Sequence, residues 1–177
     1  PTYGGGFAPA KRLFQARASL RSLLSPEDLA FVTGRVDQPQ WSISASQKNS
    51  NLDRFLSSLG INNWDVENLK SFFEAKAREA DGIFNDSTLD LKVLEWLTTK
   101  SDEWLQSLYA LLYKHCEFGH YGDLRDVHFV KLESGEWGTG AKACFRTGAF
   151  SADDRLNYVD QAILIAGAKK DQQNDAK

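Results

Sequence analysis

The segment SDEWLQSLYALLYKH, residues 101–115, sets Trp104, Leu105, Leu108, Leu111 and Leu112 on one helical surface, with Tyr109 and Tyr113 beside them. Such a stripe is wide enough to be buried on more than one side. Ser101 followed by Asp102 and Glu103 places a capping hydroxyl and two acids where the helix dipole favours them. The spacing therefore predicts a central helix around which the rest of the chain must pack. With 177 residues, 42% of them hydrophobic, the chain can bury a core of one compact domain or at most two small ones.

The remaining periodicity is also mainly helical. Leu13, Leu20, Leu23 and Leu24 form an apolar stripe, and Arg17 and Arg21 lie four apart on the solvated side, which predicts an amphipathic helix over 11–24. In LSPEDLAFV, Ser25 suits a cap, Pro26 the first helical position, and Glu27 and Asp28 the positive end of the dipole, with the helix ending near Gly34. RVDQPQWSISA reads as an edge strand, because Pro39 biases its predecessor away from α and Trp41, Ile43 and Ala45 alternate with serines. Leu52, Phe55, Leu56 and Leu59 predict a helix closed by a left-handed Gly60. Leu69, Phe72, Phe73, Ala77 and Ala80 predict another from Val66 to the Asp81-Gly82 breaker, and Thr88–Thr98 a third with Ser87 as its cap.

After Gly119 and Gly122 the period changes to two. VHFVKLESGEWGTGAKACFR, residues 127–146, reads as an antiparallel hairpin with a two-residue Ser134-Gly135 turn, in which Phe129 faces opposite to Val130 and Leu132. VDQAILIAGA reads as a terminal strand before a polar tail. An isolated hairpin is marginal in water, so this one is expected to pack on the helix at 101–115 or to pair with Trp41–Ala45. The expected fold class is α+β, predominantly α. The expected segments are a basic leading segment and helix over 1–24, a helical body over 25–118, and a hairpin, terminal strand and tail over 119–177.

Several functional classes are disfavoured by composition. No apolar run approaches the ~18 residues of a membrane span and no export signal is visible, so a cytoplasmic location is expected. Cys116 and Cys144 are too few for a disulfide framework and are expected to be reduced. The lack of methionine, the start PTYGGGF and the end KKDQQNDAK suggest a piece of a longer polypeptide. Residues 1–24 carry four basic and no acidic side chains, and residues 151–177 four basic and five acidic, so of the net −3 the middle holds −6. Four clustered charges supply only a weak, salt-sensitive attraction for nucleic acid.

No stretch carries a strong catalytic signature. His115, Cys116 and His120, with Cys144 distant, are ligand types for zinc or partners for a thiol nucleophile, but ligands adjacent on a helix point about 100° apart and no paired spacing supports them. GTGAK at 138–142 lacks the spacing of a phosphate loop, and Gly138 and Gly140 are better read as a bulge or a close backbone approach. GGG at 4–6 follows no strand. Asp102, Glu103, Asp153 and Asp154 all have cap or turn explanations. Core packing is expected for most of Trp41, Trp64, Trp96, Trp104 and Trp137 but not for all of them, and Trp137, beside the hairpin turn, is the candidate partner contact together with Glu136 and Lys142. No catalytic residue, metal ligand or cofactor is assigned.

The order of ARASLRSLLSPEDLAF, NSNLDRFLSSLGINNWDVENL, KSDEWLQSLYALLYKH, VHFVKLESGEWGTGAKACF and YVDQAILIAGAKKDQQNDAK resembles the region downstream of the ATPase in large bacterial sacsin-like proteins. Leu132, Gly135, Trp137, Gly140 and Phe145 match that family's strand, turn and strand pattern, and Arg146 stands where the family has proline. The resemblance implies a parent chain with an ATPase of the gyrase and heat-shock-chaperone type, and a non-catalytic contact module here whose partners are other domains of the parent chain or a protein client. No ATPase motif lies in these residues. Two alternatives come from other classes: a winged-helix-like nucleic-acid binder using the hairpin and the helix over 11–24, and a small metal or thiol enzyme using His115, Cys116, His120 or Cys144.

Overall fold

The computed structural model describes residues 1–43, 51–79, 87–115, 124, 126–140, 142–145 and 156–160. The fold class is α+β, with six α-helices and small sheets among these residues. The chain divides into two compact units, Pro1–Phe72 and Phe73–Lys177.

The first unit is organised by a short parallel sheet of order β2-β1-β3, in which β1 (Leu13–Gln15) lies between β2 (Gln40–Trp41) and β3 (Asn62–Asn63). Parallel neighbours cannot be joined by a tight turn. Helices α1 (Ala18–Leu23) and α2 (Pro26–Thr33) fill the first crossover and α3 (Asn51–Ser58) lies in the second. The expected single helix over 11–24 is therefore corrected. A 3₁₀ turn at Ala10–Arg12 leads into β1, and the helix begins only after Arg17. Leu13, Phe14 and Gln15 are all buried, which one helical stripe cannot achieve but a central strand covered on both faces can.

Local signals around this sheet behave as their chemistry dictates. The Ser25 hydroxyl accepts from the Asp28 N–H at 3.1 Å, and the Asp28 carboxylate accepts from the Ser25 N–H at 3.2 Å, closing a capping box at the start of α2. Gly34 and Gly60 take left-handed φ values of 64° and 78° after α2 and α3. The edge strand expected near Trp41 is present for Gln40–Trp41; Ser44 and Ala45 lie outside the described residues. Trp41 donates its indole N–H to the Leu24 carbonyl at 2.7 Å and packs against Trp64, with centroids 6.2 Å apart. Leu13, Leu56 and Ile61 form a core cluster flanked by Ala8 and Ala10. The expected stripe on α3 is only partly buried, since Phe55 and Leu59 are exposed.

The second unit holds a four-stranded sheet of order β4-β5-β6-β7, made of Ala77–Glu79, Ser87–Leu89, Val127–Lys131 and Trp137–Thr139. Strands β5 and β6 are parallel, and α5 (Leu91–Thr98) and α6 (Asp102–His115) form the crossover between them. Two expectations shift. Helix α4 (Val66–Lys76) stops short of Asp81-Gly82, because Ala77–Glu79 pair antiparallel with Ser87–Leu89 and the ladder overrides local helix propensity. Ala80 to Gly82 lie outside the described residues. Ser87 consequently sits in β5, and the cap of α5 is Asp90, whose carboxylate accepts from the Lys92 N–H at 3.0 Å.

The β element at 127–146 is shorter than expected. Strands β6 and β7 pair antiparallel, but β7 ends at Thr139, and β8 (Ala143–Cys144) instead pairs in parallel with β9 (Asn157–Tyr158). The connecting loop has three residues, not two. The Leu132 N–H donates to the Glu136 carbonyl and the Gly135 N–H to the Leu132 carbonyl, both at 2.9 Å, with Gly135 at φ 83°. A register shift between His128 and Val130 leaves Phe129 as the extra, bulged residue. The close approach expected at Gly138 is present: a Cβ there would lie 2.8 Å from Leu132 Cδ1. Strand β6 takes β5 as its other neighbour and Trp41 pairs with Phe14, while Ser44 and Ala45 lie outside the described residues. Of the terminal strand VDQAILIAGA, Val159 bridges antiparallel to Leu132, and residues 161–168 lie outside the described residues.

Helix α6 buries Leu105, Leu108, Leu111 and Leu112, as its pattern requires, while Tyr113 is exposed. Leu108 has no solvent exposure. Leu108→Ala is therefore expected to cost about 2–5 kcal/mol through a cavity that the sheet and helix cannot fill. Urea unfolding with an unchanged slope would measure it, and a loss below about 1 kcal/mol would mean that α6 is not central.

Candidate contact site

Strand β6 brings the candidate site together. Its first half is anchored to α6: the Tyr109 hydroxyl donates to the Phe129 carbonyl at 2.8 Å, and the two rings meet edge-on with centroids 5.4 Å apart. Its end is anchored by charge, because the Lys131 ammonium lies 2.6 Å from Asp102 in the first turn of α6 and 3.0 Å from Asp160 after β9. Backbone bonds from Glu133 N–H to the Tyr158 carbonyl and from Asp160 N–H to the Lys131 carbonyl complete that attachment. The hydrogen bond to Asp102, reinforced by Asp160 and opposed by burial, holds the Lys131 pKa above its ordinary value. A lysine held charged in this way is an anchor and a poor base or nucleophile. Burial pushes the Tyr109 phenol well up, so it remains a neutral donor.

Trp137 opens β7 opposite Lys131 and is half-buried, neither projecting freely nor enclosed. Its carbonyl lies 2.8 Å from Nδ1 of His128. Glu136 precedes it at the loop and is exposed. Lys142 is exposed too, but a turn closed by its N–H on the Thr139 carbonyl carries it beyond the opposite end of β7. The three candidate contact residues thus flank one short outer strand and do not form one cluster. The Thr139 hydroxyl on the same strand is buried and has no hydrogen-bond partner among the described residues.

The other candidates separate. Cys144 is a free, half-buried thiol on β8, and the His115 side chain, Cys116 and His120 lie outside the described residues. Among the described residues no three His, Cys, Asp or Glu side chains converge on a metal-sized space. The basic helix that a winged-helix reading needs over 11–24 is not formed, and two of its arginines have internal partners. Arg12 donates twice to the Gln38 carbonyl, at 2.8 and 3.1 Å, and Arg21 donates to the Ser42 and Ile43 carbonyls while lying over the Tyr3 ring. Among the described residues no helix is long and apolar enough to cross a membrane.

Two features were not anticipated. The Asp102–Lys131–Asp160 link joins residues far apart in the chain and carries no local signature. The corner formed by Trp96, Lys100 and Trp104 does have a visible spacing of four and four, but its meaning depends on the break between α5 and α6.

Tyr109→Phe is expected to cost about 1–2 kcal/mol at neutral pH, because the Phe129 carbonyl loses its donor. The folded state binds the Tyr109 proton more tightly than the unfolded chain does. Its contribution is therefore intact below about pH 10 and is lost as pH rises toward the folded value. The raised Lys131 pKa acts in the same direction. Denaturant unfolding between about pH 9 and 11 should show stability falling with pH, and less steeply in Tyr109→Phe than in the parent chain.

Comparison of the chain with models of protein families, with curated proteins and with solved structures finds no match.

Proposed function

We propose that this chain is a non-catalytic contact module of a larger, chaperone-like ATPase protein of the cytoplasm, and that it acts by binding another segment of its parent chain along β7. The observation that carries the reading is the half-buried Trp137 on the outer strand of the described four-stranded sheet. An outer strand offers backbone donors and acceptors to an extended segment, and an adjacent aromatic supplies an anchor. The exposed Glu136 and Lys142 at the two ends of β7 add charges of opposite sign that can set the register of an incoming strand. The resemblance to the region downstream of the sacsin-like ATPase supplies the parent chain, and Lys131 and Tyr109, held charged and neutral respectively, act as supports of the strand.

Trp137→Ala is the direct test. The expected outcome is an unfolding midpoint changed by no more than about 0.5 kcal/mol of stability, with affinity for the separately purified upstream part of the parent protein reduced about tenfold or more. A stability loss of about 3–5 kcal/mol with unchanged association would show that Trp137 serves the core instead. A parent chain without an ATPase domain would overturn the chaperone assignment.

A further inference from the structure

The corner between α5 and α6 places two indole rings around one ammonium. Trp96 stands in the last turn of α5 and Trp104 in the first turn of α6, where the Ser101 hydroxyl accepts from the Trp104 N–H at 3.2 Å. The break between the helices turns the rings to 82° with centroids 5.4 Å apart. The Lys100 ammonium lies 5.1 Å from the Trp96 centroid and 5.3 Å from that of Trp104. The Trp96 wall is backed by Phe73, which is fully buried, with centroids 6.4 Å apart. All three residues of the corner are half-buried, so the cation is shared between two rings and still reached from solvent.

We propose that Trp96 and Trp104 form a two-walled binding site for methylated ammonium groups, for which Lys100 is an intramolecular competitor. Tryptophan faces attract cations more strongly than other rings do, and two faces at right angles reinforce each other on a cation at their intersection. A primary ammonium carries three N–H groups whose hydration opposes deep entry. A quaternary ammonium has the same charge and no such donors, so it loses less on leaving water and its methyl groups pack on both rings. Lys100, tethered at the mouth, competes at an effective concentration on the order of millimolar, which keeps simple cations out. The same chemistry is presented by a choline-type small molecule and by a trimethylated lysine of a protein.

The test follows the indole N–H resonances of the full chain during titration with tetramethylammonium. In Lys100→Ala, saturable shifts confined to the Trp96 and Trp104 signals are expected, at a concentration about tenfold lower than the intact chain needs. Lys100→Ala combined with Trp104→Leu should lose the response while keeping its far-ultraviolet circular dichroism. The neutral isostere 3,3-dimethylbutanol should produce no comparable shift. Tighter response to choline would assign a small-molecule ligand, and tighter response to a trimethyllysine peptide a protein ligand. Absence of a saturable shift in Lys100→Ala and in the intact chain, or an equal shift with the neutral isostere, overturns the proposal. The intact chain titrated to higher concentration reports on the same two signals, so the outcome does not depend on how any variant folds.

Discussion

Parallel strand pairing is the constraint from which both units follow. A parallel pair cannot be closed by a tight turn, so each pair requires a helical crossover lying on the sheet. In the first unit the pairing of Leu13–Gln15 with Gln40–Trp41 takes α1 and α2 as its crossover. In the second the pairing of Ser87–Leu89 with Val127–Lys131 takes α5 and α6. Helix α6 is thereby set against the sheet, where Tyr109 meets Phe129. Its buried leucines are the consequence of that crossover as much as of their own periodicity.

Within the second unit, aromatic contacts run from the helices into the strand. Trp104 meets Trp96, Trp96 meets Phe73, Phe73 meets Phe129 at 4.7 Å, and Phe129 meets Tyr109. Tilted and edge-on geometries suit the ring quadrupoles and add to the apolar area removed from water. Phe129 takes part from the bulged position of β6, on the same buried face as Val127. The packing that holds α6 on the sheet and the irregularity beside the candidate contact strand thus meet at one residue.

Charge completes what packing begins. Lys131 lies between Asp102 and Asp160, so the end of β6 is bound both to the start of α6 and to the segment after β9. Partial exposure of all three groups keeps the attraction modest in water. Its value is positional: it fixes the strand opposite Trp137 without enclosing the ring. Gly138 contributes by lacking a side chain where Leu132 approaches, which allows β7 to lie close at its bulged register.

Much of the local structure was legible in the residues. The capping box at Ser25 and Asp28, the left-handed glycines 34 and 60, and the leucine pattern of α6 depend on contacts within a few positions, and short-range chemistry determines them. What the residues left open depends on long-range pairing. Leu13–Gln15 reads as helix until two parallel neighbours pair with both its edges, and Ala77–Glu79 reads as helix until Ser87–Leu89 offers a ladder. At the site, Trp137 could be singled out from its place beside a turn, but its half-buried position, the link from Lys131 to two aspartates, and the right angle between Trp96 and Trp104 are set by elements brought together from distant parts of the chain or by the corner between two helices. Sequence determined the short-range preferences; only the tertiary structure decided which were kept, because satisfying backbone hydrogen bonds and burying both faces of a strand outweigh the ~1 kcal/mol scale of local propensity.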